Sequence, residues 1–273
     1  VILGELQSGT MPMDAYLHIL VPAQRRIGEL WLNGDLSIAN EHMATEITTL
    51  EMELLRGIAN RKPSINRKVL VATAPGERHS LGARIVSDFL YINGWDVDFL
   101  GTDIPADELG IFAKERKPDV IALSIVLSEN INGAKEAIAM VKQYAPAIPI
   151  MIGGPGVNGE DQVKELGADL PFISENGASI HGLNLINTNF PNKIILSRNK
   201  QELLEIFNSK VPDELRTKCK FISNMDLKQQ SKIFGLQENK LKNALNRKYT
   251  IPFIFEGDKI EKNKLIKIFK SSS

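Results

Sequence analysis

A chain of 273 residues, 43% of them hydrophobic, has apolar material for more than one core, and its single cysteine excludes an internal disulfide or a cysteine-based metal cluster. No apolar run approaches the roughly 20 residues that span a bilayer, so no membrane partner is expected and a reducing, cytoplasmic setting is. The balance of 33 basic and 33 acidic side chains hides a polarity: residues 1–182 carry 15 against 24, and residues 183–273 carry 18 against 9. The chain opens Val-Ile-Leu without a signal segment, which reads as a fragment or processed chain with a further domain upstream.

Residues 1–62 read as a helical bundle. Pro22 suits a first helical position, and Ile27, Leu30 and Trp31 follow at helical spacing. Asn33-Gly34-Asp35 breaks the pattern, and Ser37 can cap a second helix whose expected apolar face is Ile38, Met43, Ile47, Leu50 and Leu54. Residues 61–67 form a linker.

From Lys68 the pattern changes to short apolar strands, expected at 69–73, 97–100, 120–124, 148–152 and 170–174. Amphipathic helices at 80–93, 105–116, 129–145 and 158–167 separate them. Strands without alternation, each joined by a helix, imply a doubly wound, flavodoxin-like α/β domain over residues 68–182 with a parallel sheet covered on both faces. Such sheets bind ligands at the carboxyl ends of their strands.

The loop leaving the first strand is Ala74-Pro75-Gly76-Glu77-Arg78-His79-Ser80-Leu81-Gly82. A histidine there faces a ligand, but one imidazole does not hold a bare metal ion, and His18, His42 and His181 have no zinc-like spacing to it. A metal at His79 should therefore arrive in its own macrocycle. Glu77 can accept the other ring N–H and fix the tautomer. Gly82, without a Cβ, leaves room for a bulky group. Ser124 with Val126 stands at the end of the third strand, Gly153-Gly154 at the end of the fourth and Gly101-Thr102-Asp103 after the second, and small residues at the ends of strands one, three and four outline a slot for an extended, nucleotide-like tail.

Glu77-x-His79-x-x-Gly82, Ser124 and Gly153-Gly154 together resemble the cobalamin-binding domain of the base-off, His-on type. The resemblance implies His79 as the lower axial ligand of cobalt, with Arg78, Ser80, Gly82, Ser124, Val126, Gly153 and Gly154 around the cofactor and its tail. Trp31 followed by Glu41-His42-x-Ala44-Thr45 resembles the helical cap of cobalamin-dependent regulators, including adenosylcobalamin photoreceptors. By that resemblance Trp31 lies over the upper corrin face with Glu41 and His42 nearby. Leu32 stands where some light-sensing members carry a histidine, so a product state trapped by that histidine is not expected.

The resemblance implies a non-catalytic sensor that uses adenosylcobalamin and light, with methylcobalamin and hydroxocobalamin as other forms. Loss of the upper ligand would repack the cap and change assembly, a homo-oligomer included. The alternatives are a corrinoid carrier serving partner methyltransferases, or a flavodoxin-like interaction module with no cofactor.

Residues 183–273 form a basic module with no assigned fold. Strands are expected at 193–196, 220–223 and 252–255, and helices near 200–208 and 226–247. Gly235 between two apolar-periodic runs is compatible with a helix-turn-helix and a DNA partner, or with a regulatory protein partner. The segment ending Thr250-Ile251-Pro252-Phe253 also weakly resembles the end of MinD-like ATPase domains, but no phosphate-binding G-x-x-x-x-G-K-[ST] occurs.

Overall fold

A computed structural model describes residues 2–271 apart from 8, 158–162, 164, 165, 167–170, 175–177, 186, 187, 190, 235–240, 242–244 and 246. It comprises two compact units, Val1–Ile152 and Gly153–Ser273. Among the described residues no helix is long and apolar enough to cross a membrane.

The first unit begins with helices α1 (Ile2–Gln7), α2 (Pro12–Ala15), α3 (Val21–Leu32) and α4 (Ile38–Ile58). Pro22 stands in the first turn of α3, as expected, but no break in the helix precedes it. A π-helical turn, Tyr16–Leu20, runs straight from α2 into α3, with the Val21 N–H reaching back to the Tyr16 carbonyl. Proline removes one backbone donor, and a widened turn is where a helix can absorb that loss. Gly34, at φ +78, closes α3, and the Ser37 hydroxyl accepts from the Asn40 N–H to start α4.

The expected apolar face of α4 is overturned. Ile38, Met43, Ile47, Leu50 and Leu54 are exposed, whereas Thr48, Met52 and Leu55 are buried. Two rows on this helix could face the bundle. The winning row hides a polar residue, because the Gln24 amide donates to the Thr48 hydroxyl at 2.5 Å and to the Ala44 carbonyl at 3.0 Å.

The α/β layer follows: β1 (Lys68–Thr73), α5 (Leu81–Ile92), β2 (Asp96–Phe99), α6 (Ala106–Arg116), β3 (Val120–Ser124), α7 (Ile131–Tyr144) and β4 (Ile150–Gly153). The strand order is β2-β1-β3-β4. The central strand β1 runs parallel to both neighbours, Val69 opposite Val97 and Val120, and all but its first residue are buried. Near-continuous burial of a Val/Leu/Ala strand is the mark of a sheet covered on both faces.

Helix α5 is the shared element. Leu81, Ile85 and Phe89 pack on the bundle core of Ala15, Tyr16, Leu20, Met52 and Leu55. Ala83 and Leu90 pack on Val69, Val71, Val97 and Val120 of the sheet. Asp88, fully buried on α5, meets the Tyr16 hydroxyl at 2.9 Å and the Arg56 guanidinium at 3.4 Å. The same hydroxyl lies 2.8 Å from the Met52 carbonyl. Burial raises the Asp88 carboxyl, against the Tyr16 hydrogen bond and the Arg56 charge. Tyr16→Phe is expected to cost about 1–3 kcal/mol, since it strips a buried carboxyl and a buried carbonyl of one donor. Urea melts against the wild-type chain give the value.

In the second unit, β5 (Phe172–Ser174), β6 (Ser179–His181) and β7 (Lys193–Ile195) pair antiparallel, Ile173 opposite Ile180 and Ile180 opposite Ile194. Beyond them come α8 (Lys200–Lys210), α9 (Asp213–Arg216), β8 (Cys219–Phe221), α10 (Leu227–Phe234), β9 (Phe253–Phe255) and α11 (Lys259–Lys270). Strands β8 and β9 pair antiparallel over a core of Phe207, Val211, Leu215 and Leu265, edged by Phe221, Phe253 and Phe269. Asn199 with Glu202, and Asp258 with Glu261, form capping boxes on α8 and α11. Most of the helix expected at 158–167, and Gly235 with most of the second half of the helix-turn-helix reading, lie outside the described residues.

Candidate functional site

The loop from β1 to α5 begins with a tight turn. The Glu77 N–H donates to the Ala74 carbonyl at 2.9 Å, with Pro75 second and Gly76 third at φ +82. Pro then Gly with positive φ is a type II turn. The turn carries Glu77 beneath the loop, where the side chain is fully buried. Its Oε2 accepts from the Val126 N–H at 3.0 Å, the Leu127 N–H at 2.8 Å and the Asn130 amide at 2.9 Å. Its Oε1 accepts from the His79 N–H at 3.0 Å and lies 2.5 Å from His79 Nδ1. The Thr73 hydroxyl donates to the Glu77 carbonyl at 2.9 Å.

Burial alone would raise the Glu77 carboxyl, but the donors from Leu127, Asn130 and His79 outweigh it and hold it at about 2. Glu77 is therefore an anion at neutral pH, and an anion can only accept. Nδ1 of His79 must then carry the proton, and Nε2 is the nitrogen left for a ligand. The His79 side chain is 58% exposed, so that nitrogen is reachable.

Gly82, in the first turn of α5, has no heavy atom within 4 Å of where a Cβ would stand. Beside it a cleft of about 340 Å³ opens between α3, α4 and α5, lined mainly by Leu20, Val21, Met52, Leu81 and Ile85. Among the described residues no group of three or more His, Cys, Asp or Glu side chains could hold a bare metal ion. A lone, oriented imidazole, two residues before Leu81 and Gly82 of an open, apolar cleft, suits a metal delivered within a flat macrocycle.

Of the other expected residues, Arg78 is exposed, and Ser80 precedes α5 without capping it. Ser124 ends β3, and its carbonyl accepts from the Ala74 N–H at 2.9 Å. Val126 contributes its N–H to Glu77. Trp31 lies in the last turn of α3 and Glu41 and His42 follow the start of α4, on either side of the Gly34 turn. Trp31 is 44% exposed, which rules out a core role. The Glu41 carboxylate takes the Thr45 hydroxyl at 3.0 Å and lies 2.7 Å from His42 Nδ1. Gly153 and Gly154 open the second unit, Gly154 at φ +112.

Asn130 was not anticipated, nor was the contact that Asp103 makes. Asn130 is the side-chain donor to Glu77, and Asp103 Oδ1 accepts the Gly76 N–H at 2.9 Å. A hint lay in Gly101-Thr102-Asp103-Ile104-Pro105, where an Asp between Gly and Pro is a turn residue able to accept from backbone.

A helical bundle leading into a parallel Rossmann-like layer, with a carboxylate-held histidine at the strand edge, defines a cobalamin-binding module. The chain carries B12 binding domains: residues 67–176 match the B12 binding domain, and residues 2–56 match a second model of the same description. Its cofactor is a cobalamin. Among curated relatives, the HTH-type transcriptional repressor CarH of Myxococcus xanthus is 27% identical over 60% of this chain and 54% of its own length. The chain thus spans about half of that relative. Trimethylamine corrinoid protein 1 of Methanosarcina acetivorans is also 27% identical, over 60% of this chain and 78% of its own. The monomethylamine corrinoid protein of Methanosarcina barkeri shares the fold, with a TM-score of 0.53 at 22% identity over 63% of this chain and 82% of that one.

Proposed function

We propose that this cobalamin-binding chain is a sensor, with adenosylcobalamin as cofactor and light as input. In this reading residues 1–62 are the cap, residues 68–182 the cofactor domain and residues 183–273 a basic output module that meets DNA or a regulatory protein. His79 Nε2 is the nitrogen that would hold the cobalt. Glu77 keeps the imidazole in the required tautomer, and Ser124 and Val126 would line the path of the cofactor's tail, a role that the motif resemblance also gives to Gly153 and Gly154. Trp31, Glu41 and His42 shield the upper ligand. Adenosylcobalamin supplies a cobalt–carbon bond that light breaks. The chain's own part is to let Trp31 and the turn between α3 and α4 repack, which changes assembly.

The observation that carries this reading is the buried, ionised Glu77 aimed at His79. The half-exposed Trp31 on α3, the Glu41–His42 pair on α4 and the likeness to a transcriptional repressor support the sensor. The chain is to be loaded with adenosylcobalamin in darkness and then illuminated. A changed visible spectrum together with a changed oligomeric state is expected, and a spectrum and mass that ignore light would remove the photosensor. His79→Ala is expected to abolish the imidazole-ligated spectrum of bound hydroxocobalamin. Identical spectra for variant and wild type would remove His79 as ligand.

The second reading is a methyl-carrying corrinoid protein, favoured by the likeness to trimethylamine corrinoid protein 1 over 78% of its length. Turnover with a methyl donor and a partner methyltransferase after reductive activation would support it.

A further inference from the structure

In a type II turn the central peptide points its N–H and its carbonyl to opposite sides, away from the turn's own hydrogen bond. Here both sides of the Pro75–Gly76 peptide are held. The Gly76 N–H donates to Asp103 Oδ1 at 2.9 Å, from the loop after β2. The Pro75 carbonyl oxygen rests against Gly133 in the first turn of α7, only 2.3 Å from where a Cβ would stand. Asp103 itself sits at φ +55, a left-handed conformation that Asp and Asn adopt more readily than other side chains. Flipping this peptide would bring the Pro75 carbonyl round to the Asp103 carboxylate, acceptor against acceptor.

We propose that Asp103 is a positioning residue for His79, acting by locking the Pro75–Gly76 peptide of the turn that delivers Glu77 and His79. The link is short. Gly76 directly precedes Glu77, whose carboxylate binds both the backbone and the ring of His79. A turn free to flip spreads the Glu77 backbone over two positions, and the imidazole spreads with it. The role assigned to Asp103 rests on the reading of His79 as cobalt ligand only for its effect on cofactor binding, not for its effect on the imidazole.

Three substitutions separate the two properties of Asp103. Asp103→Asn keeps the left-handed conformation and an acceptor. Asp103→Gly keeps the conformation alone, and Asp103→Ala keeps neither. The full chain is first examined without cofactor, through the ring-nitrogen NMR signals of His79. One sharp Nδ1-protonated form is expected for wild type and Asp103→Asn, and broadened or doubled signals for Asp103→Gly and Asp103→Ala. Each chain is then titrated with hydroxocobalamin. Asp103→Gly and Asp103→Ala are expected to bind about tenfold more weakly and to form less of the imidazole-ligated spectrum, the scale of one lost hydrogen bond to a charged acceptor. Asp103→Asn should stay within about threefold of wild type.

An Asp103→Gly chain with an unaltered His79 ring signal would overturn the proposal. So would an Asn variant as impaired as the Gly variant, which would mean that charge and not the turn matters. If wild type itself gives no imidazole-ligated spectrum, the cobalt-ligand reading falls while the ring signals still decide the role of Asp103.

Discussion

Glu77→Gln is expected to lower the stability of the free chain at neutral pH by about 3 kcal/mol. Every neighbour of this side chain is a donor: three N–H groups on Oε2, and the backbone and ring N–H of His79 on Oε1. An amide must turn its own NH₂ toward one of those sets, whichever way it is rotated. It then leaves buried donors facing a donor. The pH dependence carries a definite sign. The folded carboxyl lies at about 2, below its ordinary 4.5. Its contribution is therefore complete above pH 4.5 and lost as pH falls from there toward 2. Urea melts of both chains at pH 7 and pH 3 should show the gap between them shrinking at the lower pH. Equal stability at pH 7 would mean that the cradle around Glu77 is not formed in solution.

Gly133→Ala is expected to be as disruptive, against the usual direction for a helix. Alanine in place of glycine normally favours a helix by up to about 1 kcal/mol. Here the added methyl would stand 2.3 Å from the Pro75 carbonyl oxygen, 3.1 Å from its carbon and 3.2 Å from its Cβ. The nearest atom belongs to backbone and cannot rotate aside, so the β1–α5 loop or α7 must move. Overpacking of this kind costs about 1–3 kcal/mol. The displaced turn carries Glu77 and His79 with it, so hydroxocobalamin binding should weaken by about tenfold or more at the same time. Thermal melts and a cofactor titration measure the two effects. A variant more stable than wild type would show that helix propensity outweighs the contact.

The α/β layer was legible because its signal is local. The strand expected at 120–124 is β3, and helices expected at 80–93 and 105–116 are α5 and α6 within one residue at each end. The turn chemistry of Pro75-Gly76 and the pairing of Glu77 with His79 could be read from five consecutive residues. Asn130 could not, since it meets Glu77 from 53 residues away, nor Asp103, which meets Gly76 from 27 residues away. Their roles exist only once the exits of β1, β2 and β3 converge.

The α4 error has a different origin. Hydropathy favours Met43, Ile47 and Leu50 over Thr48, and the hydrogen bond from Gln24 that lets Thr48 be buried is invisible in sequence. In the second unit, α11 and β6 were not expected at all. Asp258-x-x-Glu261 was an available start signal for α11, but a three-residue strand such as β6 carries almost no periodicity.

The junction of Tyr16, Asp88 and Arg56 behaves as a mechanical detent. It grips the rod formed by α5 seven residues past its first residue, and that rod starts two positions beyond His79. A carboxyl enclosed this way is either mated or hydrated, because a position between the two leaves it with neither protein nor water as partner. Sliding the bundle along α5 would therefore first have to part that buried carboxyl from Tyr16 and Arg56, a barrier set at the junction rather than spread along the helix.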